Sequence, residues 1–262
     1  MIPKIIHFCW LSDEPYPEKI QKCLDSWKAK LLGFEIIHWN TNNFDVNICD
    51  WTRQAFECKK YAFVADYVRF WALYTYGGIY LDSDVEVLKS FDDLLNKKCF
   101  WGYEYTGLPE AAVVGCEAKM PWLQIAIEWY EAHHFQNADG SCNQIIAPLV
   151  FKYAFEKFYE LPLIDDEKTH SDSDYAIFSY ESFSPKNGFN GKILATDNSY
   201  TIHHFNSAWL KKTFVTKIKK FVHIALIYVL GKRRYNKVIY KIRKMEDYKY
   251  VFEIIEKNYK EK

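Results

Sequence analysis

The 262 residues carry 49% hydrophobic and 26% charged side chains, enough to bury a full core, and they predict one α/β domain with a smaller appendage. Seven cysteines, an odd number with no Cys-x-x-Cys pair, argue for a reducing compartment and against either a disulfide framework or a thiolate zinc site. The zero formal net charge hides a division: residues 1–210 hold eighteen Lys/Arg against twenty-nine Asp/Glu, whereas 211–244 hold twelve Lys/Arg and no acid. A basic appendage therefore follows an acidic body.

The chain opens with IPKIIHFCW at 2–10, an apolar run of the kind expected of a parallel strand covered on both faces. His7 and Trp10 read adequately as core residues. No basic leader with a long apolar segment precedes this strand, so a cytoplasmic protein is expected. A polar, Pro-containing loop at 12–16 leads to helical spacing in Ile20, Leu24, Trp27 and Leu31, closed by Gly33. A second strand at 34–39 ends in the polar cluster Asn40-Thr41-Asn42-Asn43. Strand, helix, strand is the opening of a nucleotide-binding α/β unit, with ligands expected beyond the carboxyl ends of the strands. The absence of Gly-x-Gly-x-x-Gly disfavours a dinucleotide.

Tyr61 to Val87 is the most informative stretch. Ala62, Ala65, Asp66, Arg69, Leu73 and Tyr76 recur at helical steps until Gly77-Gly78 stops the helix. Ile79-Tyr80-Leu81 is then a short buried strand that delivers Asp82-Ser83-Asp84 at its end. Alternate residues of an extended chain point the same way, so both carboxylates can converge on one point. Such a pair repels unless a positive group lies between, and a divalent ion with oxygen ligands is the natural occupant. Asp66 and Arg69, three apart, share one helix face near the same strand end. An exposed ion pair and a solvated turn are the plainer readings of these two signals.

The pattern Ala-x-x-Ala-Asp-x-x-Arg followed by Leu-Tyr-x-x-Gly-Gly-Ile-Tyr-Leu-Asp-x-Asp resembles the signature of the DXD-containing sugar transferases of glycosyltransferase family 32, which include fungal mannosyltransferases and many bacterial polysaccharide enzymes. The glucosylating domains of large clostridial toxins share its core. The resemblance implies a GT-A-like fold, a single Rossmann-like domain with a central mixed sheet, here over 1–210; the charge division adds a basic helical extension over 211–262. It implies that Trp10 stacks on the nucleotide base, and that Tyr80 belongs to the substrate-binding set. Asp66 would orient donor-sugar hydroxyls, Arg69 would offset charge between sugar and phosphate, and Asp82 would bridge metal and ribose. Asp66, Arg69, Asp82 and Asp84 form the expected catalytic set.

Downstream, a helical turn is expected at 91–95, strands at 99–103 and 111–116, and a helix at 121–133 burying Trp122, Ile125, Ile127 and Trp129. His133-His134 at its end suits a helix C-terminus better than a metal. Residues 144–151 could continue a helix or line the acceptor side, and 165–174, with five acids, reads as an exposed loop. Tyr200 to Trp209, YTIHHFNSAW, begins as a strand. Alone, its His-His pair reads as a surface or strand pair. The resemblance assigns His204 to the metal shell with Asp82 and Asp84, and Ser207 and Trp209 to the diphosphate. An imidazole with carboxylates suits Mn²⁺, with Mg²⁺ the competitor.

The tail carries one ten-residue apolar run, 221–230, too short to span a bilayer. Its interleaved Lys, Arg and apolar residues predict basic amphipathic helices, either resting on an anionic inner leaflet or capping the domain. Lipid is favoured over nucleic acid. The resulting expectation is a metal-dependent retaining transferase moving a hexose-type unit from a nucleoside diphosphate sugar to a glycan or lipid-linked oligosaccharide, in capsular or surface polysaccharide synthesis, at the inner face of the plasma membrane. A Mg²⁺-dependent phosphohydrolase or nucleotidyltransferase and a degenerate membrane-binding module are the alternatives.

Overall fold

The computed structural model describes residues 1–105, 107–161, 170–171, 174–187 and 191–205, together with 222, 225–226, 228–231 and 234. The chain divides into two compact units, Met1–Lys186 with Ile193–Asn206, and Asn187–Lys192 with Ser207–Lys262. In the second unit Val222, Leu226 and Val229 are helical and exposed, and Tyr228 is 91% exposed. No helix among the described residues is long and apolar enough to cross a membrane.

The first unit is the expected α/β fold with a mixed central sheet. Its elements are β1 (Ile5–Cys9), α1 (Glu18–Lys30), β2 (Glu35–Trp39), α2 (Asp50–Glu57), α3 (Tyr61–Tyr76), β3 (Gly78–Leu81), β4 (Val85–Val87), a 3₁₀ turn (Asp92–Leu94), β5 (Cys99–Tyr103), β6 (Pro109–Cys116), α4 (Pro121–Glu131), α5 (Ala147–Phe155), β7 (His170–Ser171), β8 (Tyr175–Phe178), α6 (Tyr180–Phe183) and β9 (Thr201–His203). Seven strands run in the order β2-β1-β3-β6-β5-β8-β7, and β4 pairs with β9 in a separate two-stranded ribbon. The N-terminal three are mutually parallel, whereas β3–β6 and β6–β5 are antiparallel.

Helix α1 buries Ile20, Cys23, Leu24 and Trp27, one face at three- and four-residue steps. Trp27 makes it part of the site's foundation: its indole N–H donates to the Val85 carbonyl at 2.7 Å, fixing β4. Helix α3 is buried on most sides, with Phe63, Val64, Tyr67, Val68, Phe70, Ala72 and Leu73 inside. It packs against α2, α4, β1 and β3. Each large apolar side chain so buried contributes roughly 1.5–3 kcal/mol.

Helix α3 passes into β3 without a loop. Gly77 closes the helix at φ +66° and Gly78 opens the strand at φ +104°, both in the region that disfavours side chains. A Cβ on Gly78 would stand 2.6 Å from the Ile5 carbonyl oxygen. Buried His7 locks this corner. Its Nε2–H donates to the Gly77 carbonyl at 2.8 Å, and its Nδ1 accepts the Trp39 indole N–H at 3.2 Å. One nitrogen gives and the other receives, so the ring is neutral, and burial lowers its pKa to about 4.

Two parts of this unit differ from the sequence expectation, and a third takes one of two open readings. Helix α2 was not expected: it is eight residues long and lacks a side-chain N-cap. Residues 144–151 resolve into α5 from Ala147 onward, with Pro at its first turn. The loop expected at 165–174 contains β7, paired with β8, while 162–169 and 172–173 lie outside the described residues.

Candidate active site

The site gathers at one end of β3, where α3, the β3–β4 turn and the β4–β9 ribbon meet. Asp66 and Arg69 lie one helical turn apart on α3. The Arg69 guanidinium donates to Asp66 Oδ1 at 3.0 Å and to Asp82 Oδ1 at 2.8 Å. The pairing expected at three-residue spacing is therefore present, but it is buried and three-membered: Arg69 is 3% exposed. Burial opposes the guanidinium's charge, and the Asp82 and Asp66 carboxylates outweigh it, holding its pKa well above the ordinary value. Asp66 also accepts the backbone N–H of Ala147, and burial raises its pKa to about 6.

Tyr80 differs from its expected place among substrate contacts. It is 1% exposed, and the Arg69 guanidinium lies over its ring with the carbon 4.8 Å from the ring centre. Its position in β3 puts its ring beneath the arginine as a supporting surface.

Asp82 continues β3, its N–H bonded to the Ala112 carbonyl, and a tight turn returns Val85 N–H to the Asp82 carbonyl, each at 3.0 Å. Asp84 stands at the head of β4. Ribbon pairing sets Val85 opposite His203. As a result Asp82, Asp84 and His203 each offer a ligand atom within 4.8 Å of the others. The histidine is thus one residue from the one expected. His204 instead puts Nε2 2.9 Å from Glu86 Oε2. Neighbouring residues of an extended chain face opposite ways, so the ribbon's register decides between them, and the sequence alone does not fix it.

His203 Nε2 lies 3.4 Å from Asp84 Oδ1, and its Nδ1 lies 3.2 Å from Glu110 Oε2. Burial disfavours the imidazolium, but the Glu110 and Asp84 carboxylates prevail and its pKa stands well above the usual one. Lys186 donates to the His204 carbonyl; burial lowers its pKa against the pull of Asp84. Sequence reading missed both Glu110 and Lys186. Glu110 had one signal, an acid inside the apolar run Pro109–Cys116; Lys186 had none.

Trp10 stands just beyond the carboxyl end of β1, half-buried. Its ring meets Tyr16 edge-on at 5.2 Å. His38 Nε2–H donates to the Trp10 carbonyl at 3.0 Å and its Nδ1 receives the Tyr16 hydroxyl at 3.4 Å. Ser207 and Trp209 lie outside the described residues.

Two carboxylates and one imidazole, with no thiolate, fit a hard or borderline divalent ion such as Mg²⁺ or Mn²⁺. Asp82, Asp84 and His203 would hold it.

Residues 17–101 match the family described as glycosyltransferase sugar-binding region containing DXD motif. The chain is 31% identical over 177 residues to inositol phosphoceramide mannosyltransferase 1 of Schizosaccharomyces pombe, 62% of this chain and 53% of that protein. It is 37% identical over 99 residues to inositol phosphoceramide mannosyltransferase 3 of the same organism, 36% and 28% of the respective lengths. Among solved structures, the PaToxG glycosyltransferase aligns at a TM-score of 0.45 and 20% identity, over 60% of this chain and 68% of that one. The chain spans about half the length, or less, of these curated relatives. Asp66, Arg69, Asp82 and Asp84 all lie within the matched residues 17–101.

Proposed function

We propose that this chain is a divalent-metal-dependent, retaining glycosyltransferase that moves a hexose from a nucleoside diphosphate sugar to a glycan or lipid-borne hydroxyl. The observation that carries the reading is the meeting of Asp82, Asp84 and His203 within 4.8 Å at the end of β3, which runs parallel to its neighbour β1 and antiparallel to β6. When bound, a divalent ion supplies Lewis-acid stabilisation of the charge that develops on a departing diphosphate. Asp82 and Asp84 supply the negative charge that holds it, and His203 the third ligand.

Arg69 positions rather than touches: buried between two carboxylates, it fixes Asp82 at the metal and Asp66 toward the donor sugar. Asp66, ionised above about pH 6, accepts hydrogen bonds from donor hydroxyls. Trp10, half-exposed beyond β1, offers its face to a base, a contact typically worth ~1–3 kcal/mol. Ser207 and Trp209 remain assigned to the diphosphate by resemblance. No residue near the carboxylate pair is required as a nucleophile, because the acceptor attacks from the leaving-group side and the departing phosphate takes its proton.

The relatives' names join a mannose unit to inositol phosphoceramide, which supports a hexose donor and a lipid-borne acceptor here; the twelve Lys/Arg over 211–244 are what support work at an anionic membrane face. The test is product analysis with UDP- and GDP-hexoses, GDP-mannose first, with Mn²⁺ or Mg²⁺ and with a chelator. Sugar transferred only with metal supports the reading. Free phosphate without transfer, or transfer undiminished by chelation, overturns it.

A further inference from the structure

Strand β6 reads PEAAVVGC, and all eight residues are buried. Glu110 is the one acid among them, 1% exposed, and an ionised carboxylate there is costly unless every lone pair facing the protein is used. Both oxygens are used. Oε1 accepts the Ala112 backbone N–H at 2.9 Å. Oε2 accepts the hydroxyl of fully buried Ser184 and faces His203 Nδ1 at 3.2 Å.

A carboxylate oxygen can only accept, so the proton of that last contact sits on Nδ1. The other ring nitrogen, Nε2, is the one that faces Asp84 and the Asp82 side of the cluster. A metal-binding imidazole must present an unprotonated nitrogen at a fixed angle, and a carboxylate on its far side supplies both conditions. We propose that Glu110 is the positioning residue of His203: held by Ser184 and the Ala112 amide, it fixes the tautomer and orientation of the imidazole and thereby sets the cation affinity of the Asp82–Asp84–His203 cluster. The proposal rests on the metal-dependent reading above.

Mn²⁺ binding to the full chain, followed by electron paramagnetic resonance of the free ion, separates the two. Wild-type protein is expected to bind one Mn²⁺, and Glu110→Gln, which turns an acceptor oxygen into an amide on one side, is expected to weaken that binding by ~10- to 100-fold. In a His203→Ala background the same substitution is expected to cost nothing further, because its effect acts through the ring. A wild-type chain that binds no Mn²⁺ sinks the metal-dependent reading and the proposal with it. Wild-type binding with an unchanged affinity in Glu110→Gln, or an equal loss in the His203→Ala background, overturns the role of Glu110 alone. Should Glu110→Gln fail to fold by circular dichroism, Glu110→Asp keeps the charge but draws it back by one methylene. It is expected to weaken Mn²⁺ about 10-fold, and an unchanged affinity there also overturns the role.

Discussion

At the residue scale the site depends on charges that cannot be removed singly. Arg69 lies between Asp66 and Asp82, and all three are largely shielded from water. Arg69→Met leaves two carboxylates facing each other without their cation and is expected to cost about 3–5 kcal/mol. Urea unfolding measures it, and a loss below about 1 kcal/mol would mean that the bridge holds little. Asp84→Ala should behave oppositely. Under the proposed function it removes one of the groups that would hold the ion at the reacting centre, so turnover should fall about 10²–10³-fold with the melting temperature almost unchanged; wild-type metal-dependent transfer from that variant would refute the assignment. The convergence of Asp82 and Asp84 was legible because alternation along a strand is a local rule. The identity of the histidine was not, since it depends on the register of two strands whose partners are more than a hundred residues apart. Glu110 stood out as an acid in an apolar run, but its role was illegible for the same reason: what makes a buried acid tolerable is a serine and an imidazole from distant segments.

At the scale of elements, the α3–β3 corner makes two predictions. Gly78→Ala places a methyl carbon 2.6 Å from the Ile5 carbonyl at a positive φ, and neither strain nor contact can relax without separating β1 from β3. A destabilisation of at least 2 kcal/mol is expected in denaturant unfolding. The second concerns His7. Its folded pKa, about 4, lies below the unfolded value near 6.5. The unfolded chain therefore binds the proton more readily, and the stability contributed by the neutral ring is complete above about pH 6.5 and lost as pH falls toward 4. The change is about 3 kcal/mol. Asp66, with its raised pKa, slopes the other way over part of that window, so the measurement is the difference between wild type and His7→Gln across pH 4–7. Parallel curves would discard the role given to His7. The corner itself could be read in the chain, because paired glycines after a helical run leave few other geometries. The lock on it could not, as nothing in IIHFC distinguishes a core histidine that braces a turn from one that merely fills space.

At the scale of the whole molecule, the body was legible and the tail less so. Strand–helix–strand order, the strand Cys99–Tyr103 and the helix ending at Tyr76 follow from periodicity and breakers; α2 did not, since eight residues without a cap give too short a period to recognise. The basic extension remains a proposal for lipid contact, supported by the exposed Val222, Leu226, Tyr228 and Val229 and by twelve Lys/Arg over 211–244. Electrostatic attraction of about 1 kcal/mol per surface-proximal basic residue predicts that the full chain co-sediments with anionic vesicles, less so as salt rises, and that removal of 211–262 abolishes this. Equal sedimentation of both proteins discards the idea.

The β4–β9 ribbon carries a consequence for biogenesis. A ribosome that has made the first 101 residues has made the entire segment matching the sugar-binding region, and both acidic members of the cluster, yet their third companion, His203, is still about a hundred codons away. Until synthesis passes residue 203 the nascent body has no complete cluster with which an ion could reward folding. An ion that needs all three ligands could therefore steady the finished protein but not chaperone its making.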